Sequence, residues 1–186
     1  AKQAGFDIVY VYAGHHMAIA HHFLSAKFNQ RGDEYGGALE NRARLTRAMR
    51  AEARGEGAGG SARGSRYAVE DLMGADGTQA HEEGRAVVEM LADLPDLWDV
   101  NVAGWDNDSQ TSRFAPDEGY QEQYTAFVKS VTNKPVVGVG RFTSPDTILS
   151  LSRSSPWSTV TAGLQPRTCF AWRMSEMSTR WSLGRH

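Results

Sequence analysis

Phe23–Arg44, FLSAKFNQRGDEYGGALENRAR, sets Asn29, Arg31, Asp33, Glu34 and Tyr35 ahead of the pair Gly36-Gly37. A helix-forming run from Ala38 to Arg47 follows at once. This order describes a polar loop closed by a turn that needs the backbone freedom of glycine. On spacing alone it is an ordinary loop entering a surface helix.

Outward from this stretch, short apolar runs alternate with amphipathic ones. Phe6 to Tyr12 is apolar and β-rich, the pattern of a buried parallel strand. Leu39 to Ala53 reads as a helix and Tyr67 to Leu72 as a weak strand. Glu82 to Leu94 reads as a helix with Ala86, Val87, Met90, Leu91 and Leu94 on one face. Leu97 to Val102 is a further strand. Tyr120, Tyr124, Phe127, Val128 and Val131 mark another amphipathic helix, and Pro135 to Gly140 another strand. Ser144-Pro145-Asp146 has the form of an N-cap with proline at the first helical position. Strand and helix in repeated alternation predict a parallel α/β fold. Spacing leaves both a (β/α)8 barrel and an open doubly wound sheet open.

The bulk properties set bounds. The chain has 186 residues and a formal net charge of -2, enough for one domain with a core or for a piece of a larger one. The charge balance gives no reason to expect nucleic acid or an acidic membrane as partner. A single cysteine, Cys169, excludes an internal disulfide and points to a reducing compartment, so a cytoplasmic location is expected. No apolar run approaches the ~20 residues of a membrane span. The chain opens inside AKQAGFDIVYVY, a helix end followed by a strand, which suggests that an N-terminal part is missing.

The literal residues carry more. FLS followed by N-x-R-x-DEYGG-x-LENRAR resembles the old yellow enzyme family of FMN-dependent oxidoreductases. AGFDIVYVY with Ala13-Gly14-His15, then LPDLWDVNVAGW, DSQTSRF and KPVVGVGRFTSPD, resemble one branch of it. That branch comprises the trimethylamine and dimethylamine dehydrogenases and the N-methyl amino acid demethylases. The resemblance spans Ala4 to Leu149 with one poor patch. It implies a partial (β/α)8 TIM barrel holding about the fourth to seventh of eight strands. Since a complete barrel needs ~250 residues, this is about half of one. It also implies FMN as cofactor, a small-molecule amine as substrate, and hydride transfer from the carbon beside nitrogen to the flavin. Longer family members carry a downstream cysteine cluster, so an iron–sulfur cluster is expected only in a full-length protein.

Barrel active sites lie at the C-terminal ends of the strands, and four clusters fall there. Tyr12 and His15 stand three residues apart just past a strand and can face one pocket; read plainly, they are a core tyrosine and a loop histidine. By resemblance they match the tyrosine and histidine of the amine dehydrogenase site, orienting substrate and tuning proton transfer. His16 competes with His15, which keeps the Tyr-x-x-His spacing. Arg66, otherwise a solvated arginine after a glycine-rich loop, matches the arginine against the flavin ring. A fixed positive charge there stabilises the anionic reduced flavin. Trp105 matches an aromatic lining the amine pocket, where a ring attracts a methylammonium with ~0.5–2 kcal/mol. Asp108 matches the catalytic carboxylate and would complete a Tyr12, His15, Asp108 triad. Trp105 as a packing residue and Asp106 and Asp108 as turn residues are the plain alternatives, and Arg113 is a salt-bridge or solvated loop arginine. Gly140 and Arg141 match half of the FMN phosphate cup, although a lone G-x-G is weak by itself. Asp33, Glu40, Asn41 and Arg42 read as structural.

His15, His16, His21 and His22 invite a metal reading, but zinc sites pair imidazoles with cysteine or carboxylate and no such partner stands nearby in sequence. No metal is expected, and His21 and His22 should cap or pack on the helix side. Two segments break the pattern. Glu52 to Ser65, EARGEGAGGSARGS, has almost nothing to bury and reads as flexible loop. From about residue 150 the tail loses clear periodicity: of 22 acidic residues only Glu176 lies there, with Trp157, Trp172, Trp181 and Cys169 among scattered Ser and Arg. The expected division is a partial FMN-binding barrel over 1–149 and an irregular tail over 150–186. Both odd segments have the composition of an out-of-frame reading of a GC-rich gene; a lineage-specific tail is the alternative. Two other functional readings stay open: an NAD(P)H-dependent enoate or dienoyl reductase, against which VYVYAGH speaks, and a non-catalytic remnant. An incomplete barrel exposes two sheet edges, which invites pairing into a homo-oligomer.

Overall fold

A computed structural model describes residues 4–55, 62–104, 118–154 and 158–160. Five parallel strands form one sheet in the order β1-β2-β3-β4-β5, following the chain without reversal. β1 is Ile8–Ala13, β2 Ala62–Glu70, β3 Leu97–Val102, β4 Val136–Gly138 and β5 Ser158–Val160. Helices occupy the connections: α1 (Ile19–Leu24), α2 (Leu39–Arg42) and α3 (Arg44–Gly55) after β1, and α4 (Glu83–Leu91) after β2. α5 (Glu122–Val131) follows β3 and α6 (Pro145–Ser154) follows β4. A doubly wound sheet reverses its strand order at a switch point; a barrel does not. The uninterrupted order therefore identifies a partial (β/α)8 barrel, the choice that spacing left open.

Alternation along the strands sorts side chains to two faces. Ala13 of β1, Tyr67 and Val69 of β2, Trp98 and Val100 of β3 and Val136 of β4 meet Leu24, Val87, Val88, Leu91 and Val128 from the helices in one buried core. α4 comes unusually close to the sheet: a Cβ on Gly84 would lie 2.2 Å from the carbonyl oxygen of Val69, so only glycine permits this approach.

The Phe23–Arg44 stretch is structural, as expected. The Arg31 guanidinium donates to Asp33, whose Oδ1 also accepts the Tyr35 N–H at 3.1 Å, and Gly37 sits at φ 75°. The buried Arg42 donates from Nε to the Leu24 carbonyl at 2.8 Å, and its terminal nitrogens reach the Gly37 carbonyl and Glu83. Asn41 donates to the Gly36 carbonyl at 3.2 Å. The single helix expected over Leu39 to Ala53 is split at Ala43.

Three expectations are corrected. Glu52 to Ser65 is not one loop: α3 runs to Gly55, and β2 starts at Ala62 rather than Tyr67, pairing with β1 from Ile8↔Ala62 and with β3 from Gly64↔Leu97. The first half of the strand forms with almost no apolar residues because its polar groups find partners. Arg63 makes a bidentate pair with Asp96 at 2.7 and 2.9 Å, and the buried Ser65 hydroxyl accepts from Arg50, which lies over the Trp98 ring at 5.2 Å. At its other end the strand stops at Glu70, short of Leu72. Regular structure also does not stop near 150, since α6 continues to Ser154 and β5 pairs with β4 from Val136↔Ser158. Residues 161–186 lie outside the described residues. Ser144 precedes α6 as expected, its carbonyl accepting the Ile148 N–H at 3.3 Å. Among the described residues no helix is long and apolar enough to cross a membrane.

Candidate active site

Backbone strain marks one end of the sheet. Among the described residues, the non-glycine positions with positive φ are His15 and His16 (both 55°), Leu72 (55°), Ala103 (69°) and Arg141 (53°). His15 and His16 follow β1, Leu72 follows β2, Ala103 follows β3 and Arg141 follows β4. Each left-handed residue costs on the order of 1–3 kcal/mol and persists only where its surroundings impose it. All lie on the C-terminal rim, where a barrel carries its chemistry.

Below this rim, the sheet face opposite the helices is polar. Tyr12 pairs in register with Arg66, and Arg66 with Asp99. Arg66 Nη1 lies 3.7 Å from Asp99 Oδ2. Burial pushes the Asp99 carboxyl up from its ordinary value, against the opposing pull of Arg66 and His15. Arg66 Nε, Asp99 Oδ1 and both side-chain atoms of Asn101 are buried without a hydrogen bond among the described residues. Polar groups left this way cost free energy in a finished fold, so this face is built to meet something polar.

Tyr12 and His15 come together as expected: the phenol and Nδ1 of His15 share a short hydrogen bond. His15 also bridges to Gly104, tying the end of β1 to the end of β3. His16, its competitor, turns the other way, with Nε2 3.1 Å from Asp71 Oδ1. Arg66 lies beside Tyr12 through the register. Gly140 and Arg141 leave β4, and the Gly140 carbonyl accepts the Gly119 N–H at 2.7 Å. The next amides, of Thr143 and Ser144, donate to Glu118 at 2.8 and 3.0 Å, so an anion at this turn would meet Gly140 and Arg141 rather than the start of α6. Trp105 and Asp108, with Asp106 and Arg113, lie outside the described residues.

The sequence reading missed Asp99, Asn101 and Asp71. The first two were legible, since LWDVNV places polar residues two apart inside an apolar strand and so on one face. Nothing in the sequence joins Asp71 to the histidines fifty and fifty-five residues earlier.

Arg66 Nε and the Asn101 amide, orphaned at the rim beside a tyrosine–histidine pair, suit a flat polar heterocycle such as a flavin ring. Comparison with known proteins agrees. Residues 1–155 match the model of the NADH:flavin oxidoreductase / NADH oxidase family. The chain is 35% identical over 157 residues to the dimethylamine dehydrogenase of Hyphomicrobium sp. (strain x), covering 83% of this chain and 21% of that protein. It is 30% identical over 140 residues to the NADPH dehydrogenase of Clostridium acetobutylicum, covering 75% of this chain and 40% of that one. Among solved structures, the 6-hydroxypseudooxynicotine amine oxidase of Pseudomonas geniculata N1 superposes with a TM-score of 0.80 at 49% identity, over 87% of this chain and 24% of that one. The chain thus spans between a fifth and two fifths of the length of these relatives. With its strand order, its rim and its matched residues taken together, the chain belongs to the NADH:flavin oxidoreductase / NADH oxidase family.

Proposed function

We propose that this chain is the substrate-side sector of an FMN-dependent enzyme that oxidises N-methylated amines. The observation carrying the proposal is the Tyr12–His15 hydrogen bond on the rim, in register with Arg66. Similarity to an amine dehydrogenase and an amine oxidase supports it. Arg66 would hold the flavin ring, and Gly140 and Arg141 its phosphate. When bound, FMN supplies the acceptor for a hydride leaving the carbon beside the amine nitrogen, and water then carries the iminium product to the demethylated amine and formaldehyde.

The chain's own residues would do the rest. The imidazole of His15 holds the Tyr12 hydroxyl in place and can take or return its proton, so the pair can orient the amine and adjust its protonation. The fixed charge of Arg66 would favour negative charge developing on the ring. Trp105 would face the alkylammonium through its π-surface, and Asp108 would join Tyr12 and His15. The test is steady-state assay of the protein that contains this chain, with dimethylamine, trimethylamine and an N-methyl amino acid plus an artificial electron acceptor. Formaldehyde release is the expected outcome; NAD(P)H-driven reduction of an enone or dienoyl compound without amine turnover would sink the proposal.

That second outcome is the alternative reading, an enoate or dienoyl reductase, favoured by the similarity to an NADPH dehydrogenase. A third reading is a non-catalytic remnant. The 186 residues alone should bind FMN weakly, because the ring would be contacted from one sector only. Flavin retained one-to-one through gel filtration of the isolated chain would contradict this.

A further inference from the structure

The side chains His16, His21 and Asp71 converge at the rim outside the flavin site. His16 Nε2 lies 3.1 Å and His21 Nε2 3.3 Å from the same oxygen, Asp71 Oδ1. One ligand atom from each of the three lies within 4.8 Å of the others. His21 and Asp71 are fully buried and His16 partly so. Phe28 closes the cluster on one side, its ring centroid 5.2 Å from that of His16 and 6.4 Å from that of His21.

The cluster is held from outside. Asp71 Oδ2 accepts the Thr78 N–H at 2.8 Å, which leaves Oδ1 facing the imidazoles. His22 Nε2 donates to the His16 carbonyl at 2.7 Å, and His16 itself is kept in the left-handed region.

A simple imidazolium–carboxylate pair does not account for His21. Both of its ring nitrogens are buried without a hydrogen bond among the described residues, and the 3.3 Å approach to Asp71 is not aligned for one. An imidazolium would aim an N–H at the oxygen, whereas an imidazole lone pair directed at a shared cation need not. Tetrahedral zinc with ligand bonds of about 2.0–2.2 Å places neighbouring donor atoms about 3.3–3.5 Å apart, close to the 3.1 and 3.3 Å separations from Asp71 Oδ1, and the whole set lies within 4.8 Å. Two imidazoles and one carboxylate, with a position left for water, are a common zinc ligand set.

We propose that His16, His21 and Asp71 bind one transition-metal dication of the zinc class, which pins the turn carrying His15 to the end of β2. The carboxylate partner that the sequence does not show near the histidines is thus supplied by the residue that follows the next strand. The proposal is independent of the amine-oxidation reading.

The test uses the untagged full chain, stripped with a chelator and titrated with zinc and, separately, with cobalt. One equivalent of zinc should bind, and cobalt should develop the intense visible absorption of a tetrahedral centre. His16→Gln, whose ring is only partly buried, and Asp71→Asn should each weaken zinc binding by about tenfold or more, with the circular dichroism of His16→Gln unchanged. His81→Gln, whose ring packs near Phe127, should leave it intact. Absence of saturable zinc binding to the parent chain, or an affinity unchanged by His16→Gln, would overturn the proposal.

Discussion

The two faces of this one sheet follow opposite rules. On the helix side, Tyr67, Val69, Trp98, Val100 and Val136 are buried against apolar partners. On the other side, shifted by one residue along the strands, stand Tyr12, Arg66, Asp99 and Asn101, with several buried polar atoms left without partners among the described residues. The first face carries the hydrophobic stabilisation; the second carries groups whose burial opposes folding. Stability and chemistry are therefore separated by the thickness of one pleat, and substitutions on the two faces should differ in sign as well as size.

The largest effect is expected for Trp98→Ala, which empties the centre of the helix face and should cost ~3–5 kcal/mol in urea unfolding. An equal loss from truncating Tyr10 on the other face would erase the contrast. Gly84→Ala should follow at ~1–3 kcal/mol, since the new methyl meets the Val69 carbonyl and α4 must lift away. Its counterpart Gly64→Ala first meets the ring of Tyr10, which is 42% exposed and can swing aside, so the cost should stay near ~0.5 kcal/mol.

The buried aspartates sharpen the comparison. Asp71 sits well below its ordinary 3.8, at about 2, so its contribution is present above 3.8 and is lost as pH falls through about 2. With chelator present, Asp71→Asn should cost about 2 kcal/mol at pH 7 and little at pH 2. Asp99 is shifted upward, so the folded chain binds its proton more readily and stability falls as pH rises from the ordinary carboxylate value through the raised one. Asp99→Asn should therefore stabilise at pH 7 and lose that advantage in acid. Thermal unfolding across pH reads both; parallel behaviour of the two variants would refute the assignment. Tyr12→Phe should also be mild in stability, ~1 kcal/mol or less from one lost hydrogen bond. In the flavin-loaded parent enzyme it should nonetheless lower amine turnover by ~100-fold, while an unchanged rate would remove Tyr12 from the site.

How much was legible in the sequence follows the same division. β3 and α4 could be read because their partners lie on the predictable side: burial imposes a period, and the period appears in LWDVNV and in Val87, Val88 and Leu91. The first half of β2 could not. Ala62-Arg63-Gly64-Ser65 has the composition of a loop, and what makes it a strand is Asp96, Arg50 and Tyr10, all supplied by other elements. Arg50 shows what this arrangement costs, since burial lowers its guanidinium to about 10 and, among the described residues, leaves two of its nitrogens without a hydrogen bond. At the site, Tyr12 and His15 were legible because three residues separate them and a family resemblance names them. Asp71 was not, because only the β1–β2 pairing brings it to His16 and His21.

The unreversed strand order also bears on how the chain is made. Each strand lies beside the one synthesised just before it, so a strand emerging from the ribosome finds its partner already in place. No strand has to wait for a later one to be inserted between it and its neighbour, as a sheet with reversed order demands. The sheet can grow in the direction of translation, with each helix closing over its own strand before the next arrives.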